Sequence, residues 1–218
     1  MEDSLKVPSS QDRHNFVKWE MRLIGDYSPD EVVSSLQKGI RRNQQYESCF
    51  WAYIFHQSGY GQYLWRRLSI ICCEDVGNGE PMAPVVIDSL ANSWDRLHKH
   101  DKRPTNDKFL FVVQAILFLC RAKKVRENDS LVNLIEEHWT AGKRLEIPPE
   151  ALDSHTDRGR KVFGRFGDKT DGKEELRVRQ WFDFWSLITD KAYKDRWEEE
   201  LKRIWGYKPS RKKGAFAS

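Results

Sequence analysis

The chain has 218 residues, 32% of them charged and 39% hydrophobic, and its nine Trp, eleven Phe and seven Tyr supply dense material for a core. Wholesale disorder is excluded by that mixture, and the length fits one domain or one domain with a modest appendage. The formal net charge of +4 and pI near 8.8 fall short of the pI above about 9 that marks an overt nucleic-acid footprint, so the distribution of charge has to decide.

Phe16, Trp19, Leu23 and Ile24 recur at helical spacing, which predicts an N-terminal amphipathic helix within residues 1–27, closed by Gly25. Ser28-Pro29-Asp30-Glu31 then opens a second helix with an N-cap hydroxyl, a proline at the first helical position and two acids against the positive end of the dipole. Val32, Val33, Leu36 and Ile40 form its buried stripe. Tyr46, Cys49, Phe50, Tyr53 and Ile54 predict the next helix, up to the glycine turn at Ser58-Gly59-Tyr60-Gly61. Another runs from about Gln62 through Leu64, Leu68 and Ile71 and breaks at Gly77-Asn78-Gly79 before Pro81.

Met82 to Leu97 and Leu131 to Trp139 give two further helices, and Phe109 to Cys120 is apolar nearly all round, as expected of a central helix. Residues 28–145 are therefore expected to form a helical bundle. Residues 146–172 are rich in glycine, charge and hydroxyls and predict an irregular connection. Two short aromatic-rich helices are expected within 173–207, packing on the bundle, and 208–218 reads as a disordered basic tail. Period-two alternation is absent, so the fold class is all-α.

No apolar stretch approaches the roughly 20 residues of a membrane helix, and Met1-Glu2-Asp3 lacks the basic and then apolar opening of a signal peptide. A cytoplasmic location without membrane association is the expectation. Cys49, Cys72, Cys73 and Cys120 lie in apolar segments with no CxxC pair, as buried thiols would. The phosphate-loop, dinucleotide, zinc-protease, hydrolase and calcium-loop motifs are all missing, which argues against an enzyme and implies no cofactor. His98 and His100 lack a third ligand nearby in sequence, so no metal is expected.

The most informative stretch is Arg66 to Pro81. Glu74 and Asp75 close a helical segment where the dipole disfavours negative charge, so a basic partner is expected, with Arg66 or Arg67 as candidates in the fold or on a neighbouring subunit. A metal-binding carboxylate pair is the alternative, but adjacent helical residues point about 100° apart and no third acid is nearby.

This stretch resembles the C-terminal region of the replication-associated recombination protein A (MgsA/RarA) ATPases, clamp-loader-like AAA+ proteins. In them two arginines, a short apolar run, Glu-Asp-hydrophobic-Gly and a following proline recur, here Arg66, Arg67, Glu74, Asp75, Gly77 and Pro81. The likeness extends upstream to Lys38-Gly39-Ile40-Arg41 and downstream to Gln114 through Lys123, about half the chain. Gln37 replaces the family's histidine, and Lys123-Lys124-Val125 departs from its Lys-Ser-Asn continuation. The resemblance implies a helical oligomerisation module, associated there with tetramers, behind an ATPase engaged with DNA at replication forks. The ATPase motifs are absent here, which leaves a homo-oligomer acting in DNA replication, recombination or repair, or an assembly partner of a separate AAA+ ATPase in trans.

A second constellation spans Asp153 to Phe166. Arg158, Arg160, Lys161 and Arg165 alternate with glycines and aromatics, so backbone amides and guanidinium groups suit phosphates and Phe166 suits base stacking. Forked or single-stranded DNA is the partner this pattern fits. The opposing reading pairs these arginines with Asp168, Asp171, Glu174 and Glu175. His155 between Asp153 and Asp157 is the candidate catalytic residue for an enzyme acting on a phosphate-containing substrate, or else a loop-locking histidine. Trp181, Phe182, Phe184, Trp185, Trp197 and Trp205 supply either partner anchors or packing for the C-terminal helices.

Overall fold

The computed structural model describes residues 22–190 and 192–209, and most of the N-terminal helix expected within 1–27 and of the 208–218 tail lies outside them. Nine α-helices and no strand occur among the described residues, in keeping with the all-α expectation. They fall into two compact units that part after Gly142. None of the helices is long and apolar enough to cross a membrane.

The first unit contains α1 (Pro29–Arg41), α2 (Gln45–Gln57), α3 (Gly61–Ile71), α4 (Ala83–His100), α5 (Asn106–Arg121) and α6 (Glu127–Thr140). Pro29 starts α1 as expected, but the Ser28 hydroxyl donates to the Asp30 carboxylate instead of capping the helix. A charged acceptor two residues away outcompetes the role of accepting a backbone amide. Val32, Leu36 and Ile40, one turn apart, turn the buried stripe of α1 onto α2 and α5.

α5 packs against α1, α2, α3 and α4, and its Val112, Ala115, Ile116, Leu119 and Cys120 are buried. That is the central helix its all-round hydrophobicity predicts. Phe55, Leu64, Leu68, Ile71, Ile87 and Trp94 complete the core from the surrounding helices. Cys72 and Cys120 are buried as expected, and burial pushes the Cys72 thiol up to about 11. Cys49 is half-buried and Cys73 is exposed, because a π-helical turn (Cys72–Val76) continues α3 and rotates Cys73 off the core face.

His56 is buried between α2 and the start of α5, tilted against Phe109 with ring centroids 5.1 Å apart. Its Nε2 donates to the Thr105 carbonyl at 3.0 Å, which fixes the neutral tautomer. Burial, the largest influence, holds its pKa below the ordinary 6.5 despite that bond. The unfolded chain therefore binds a proton more readily, so this contribution to stability is full above pH 6.5 and is lost as pH falls towards the folded pKa. Denaturant midpoints are expected to drop from pH 7.5 to 5.5, and the His56→Gln variant should show a shallower decline over that window.

α6 differs from its neighbours. The sequence assigns Leu131, Leu134, Ile135 and Trp139 to one apolar face, yet each is more than half exposed, as is Val132. Its main contact in the first unit is with the π-helical turn.

The second unit contains α7 (Asp157–Phe163), α8 (Glu174–Gln180) and α9 (Glu198–Ile204), with another π-helical turn, Trp181–Trp185, extending α8. Residues 146–172 are thus part of a folded unit, and Arg158, Arg160 and Lys161 lie on a helix where an irregular loop was expected. Thr156 explains the start of α7: its Oγ1 accepts from the Gly159 amide at 3.0 Å. The final helix is shorter than its apolar pattern, because Tyr193 and Trp197 lie before α9 and are exposed.

Candidate functional site

Two polar constellations stand out, one in each unit. In the first, Asp75 is fully buried within the π-helical turn. Its carboxylate accepts from Arg41 Nε at 2.5 Å and from Gln37 Nε2 at 3.0 Å, both from α1, and Arg126 Nε lies 3.4 Å away at the entry to α6. Glu74 is the outer partner of the same two arginines, at 3.6 Å from Arg41 and 3.5 Å from Arg126.

The acids are paired with bases as expected, but the partners are Arg41 and Arg126 in place of Arg66 or Arg67. Eight residues along a helix separate Arg67 from Asp75 by about 12 Å, beyond direct reach. Arg67 joins at one remove, donating to Gln37 Oε1 at 3.1 Å. Arg66 is exposed and borders an open groove of about 680 Å³ with Ile70, Cys73 and Val132. Lys38 is also exposed and donates to Ser34, one turn back.

Gly77 follows the π-helical turn at φ +50, and a Cβ there would lie 2.6 Å from the Val125 carbonyl. The glycine thus allows the chain after α5 to cross close over the turn, where Val125 donates its amide to the Asp75 carbonyl oxygen at 3.1 Å. Lys124 Nζ donates to the carbonyls of Leu119, Cys120 and Ala122, closing the C-terminal end of α5. Pro81 is exposed ahead of α4. This constellation is an internal clasp joining α1, the turn and α6.

The second constellation contains the basic residues of 158–165. Arg160 is committed: it pairs with Asp157 and donates to the His155 carbonyl at 2.7 Å. Arg158, Lys161 and Arg165 are exposed and have no carboxylate partner among the described residues. Of the nearby acids, Asp171 pairs with Arg177 and Asp168 accepts from the Thr170 amide and hydroxyl through one oxygen, at 2.8 and 2.7 Å. Two of the four acids expected to neutralise these cations thus have other partners, and Glu174 and Glu175 are exposed without an ion pair to any of the three.

The glycines serve packing. Gly159 is buried, and a Cβ there would overlap the Asp153 carbonyl. Gly164 has φ +71, and its Cβ would meet the Asp171 carboxylate and the Arg177 guanidinium. Arg177 is only 4% exposed and donates to the carbonyls of Phe163, at 2.9 Å, and Asp168, besides Asp171 at 2.6 Å. It is the organising residue of the unit, and sequence reasoning missed it because an arginine on a charged helix looks like any solvated one.

His155 is exposed, its ring Nδ1 lies 3.2 Å from Asp153 Oδ2 and its backbone amide donates to Asp153 Oδ1 at 2.9 Å. Asp157 does not join this pair; it turns to Arg160. The ring packs against Phe166, with centroids 5.1 Å apart, and Phe166 in turn faces Trp181 at 6.1 Å. Phe163 packs edge-on against Trp185 at 5.2 Å and so belongs to the interior contacts of the unit. Among the described residues, no group of three His, Cys, Asp or Glu is placed to hold a metal ion.

The unit thus carries three exposed cations without an ion pair, one of them directly before the aromatic row that Phe166 begins, an arrangement suited to anionic polymers with flat rings. Comparison of the sequence with protein-family models and with curated proteins gives no match.

Proposed function

We propose that this chain is a non-catalytic, DNA-associated interaction module acting in replication, recombination or repair, with the nucleic-acid contact in its second unit. One observation carries the reading: Arg158, Lys161 and Arg165 are exposed and have no ion pair among the described residues, and Arg165 directly precedes Phe166, which is 44% exposed. Exposed cations that are not held in ion pairs release counterions when they meet phosphates, and an accessible ring accepts a base.

The first unit is the oligomerisation part of this proposal. The resemblance of Lys38 to Arg41 and Arg66 to Pro81 to the clamp-loader-like C-terminal region supports it, as does the exposed apolar run Leu131, Val132, Leu134 and Ile135 on α6.

Fluorescence anisotropy with a labelled single-stranded or forked oligonucleotide, titrated across salt concentrations, tests the nucleic-acid contact. Changing Arg158, Lys161 and Arg165 together to Ala is expected to weaken binding and to lower the slope of log K against log salt by about 2, near 0.7 for each lost phosphate contact on a single strand. Unaltered affinity and slope in that variant would remove the assigned site.

A further inference from the structure

Phe166, Val178, Trp181, Ile204 and Trp205 line a cleft of about 360 Å³ within the second unit. This lies within the size range of small-molecule sites. Trp181 and Trp205 meet edge to face with centroids 5.8 Å apart, and Phe166 tilts towards Trp181. The cleft is therefore walled by ring surfaces held at fixed angles.

Charge at the cleft is largely committed. Arg177 is tied to Asp171 and to two backbone carbonyls, and one Asp168 oxygen is taken up by Thr170. Lys169 and Glu174 are exposed, of opposite sign, and border the same opening. A site whose rim carries charges of both signs and whose walls are three aromatic rings favours a flat, neutral group over an ion. Phe166 directly follows Arg165, so a strand whose phosphates meet the cations delivers its bases to the cleft.

We infer that this cleft takes an unpaired nucleobase, making the second unit a reader of single-stranded segments or frayed ends in preference to paired duplex. This inference rests on the nucleic-acid reading above. The phosphate contacts supply binding that is independent of bases, and the cleft adds the stacking of one base.

The test compares the full chain's affinity for a short oligothymidylate and for an abasic oligonucleotide of the same length and phosphate number, at low salt. A preference of about tenfold for oligothymidylate is expected, the contribution of one stacked base. Phe166→Ala should reduce that preference, and Phe166→Tyr, which keeps a flat ring, should retain it. Equal affinity of the unaltered protein for both oligonucleotides overturns the cleft and leaves the basic contact standing. Failure to bind either one overturns both.

Discussion

Replacing Asp75 by alanine is expected to raise amide exchange rates in α1, the Cys72–Val76 turn and the start of α6 about a hundredfold, a loss of about 3 kcal/mol. The carboxylate is fully buried and receives Arg41, Gln37 and Arg126 at once. Removing it leaves two cations facing each other and an amide donor without its acceptor. The side chains of Arg41 and Arg126 are 29% and 42% exposed, so water relieves part of the penalty and the loss falls at the low end for a broken buried pair. Glu74→Ala is the contrasting variant. Its contacts exceed 3.4 Å and are partly solvated, so less than about 1 kcal/mol is expected. Equal effects of the two substitutions would show that Asp75 is not the centre of the clasp.

The other large effect belongs to Gly164→Ala, expected to cost the second unit about 4 kcal/mol. Gly164 has φ 71 and ψ −175, a region occupied almost exclusively by glycine, where strain alone amounts to about 1–3 kcal/mol. The added Cβ also lands on the Asp171 carboxylate and within 2.7 Å of Arg177 Nη1. Relieving that overlap pulls apart a buried guanidinium and its carboxylate. Limited proteolysis should then cut within residues 143–209 under conditions where the unaltered chain resists. Gly167→Ala is the control, since φ is +79 there but nothing lies within 4 Å of the new Cβ, and only the backbone cost of about 1 kcal/mol remains. Equal resistance of the Gly164 variant and the unaltered chain would mean that Arg177 does not organise this unit.

The helices of the first unit were legible in the sequence because each buries one stripe, and the spacing of Val32, Leu36 and Ile40 or of Leu64, Leu68 and Ile71 is a local property of the chain. The π-helical turns were not. Cys72 to Val76 and Trp181 to Trp185 carry ordinary helical patterns, and a change from i→i+4 to i→i+5 bonding is set by what the surrounding elements demand of the side chains. The missing cap at Ser28 has a similar origin, in the choice between accepting a backbone amide and donating to the Asp30 carboxylate, which composition does not rank.

Sequence alone also identified Glu74, Asp75 and the basic run from Arg158 to Arg165 as the residues to watch, since charge at a helix end and cations among glycines stand out locally. It did not pair them. Arg41 and Arg126 are 34 and 51 positions from Asp75, and Arg177 is 13 from Gly164. Such pairings depend on which helices pack together, and buried charges take the partner that packing brings within reach.

The all-α class, the helical stripes and the central position of α5 were therefore determined by the sequence itself, through periodic hydrophobicity acting over a few turns. Only the tertiary structure decided that the glycines of the second unit serve close packing, that Arg160 is committed while Arg158, Lys161 and Arg165 stay open, and that Phe166, Trp181 and Trp205 wall one cleft. Each of those outcomes turns on distances between segments remote along the chain, which packing sets and local propensity does not encode.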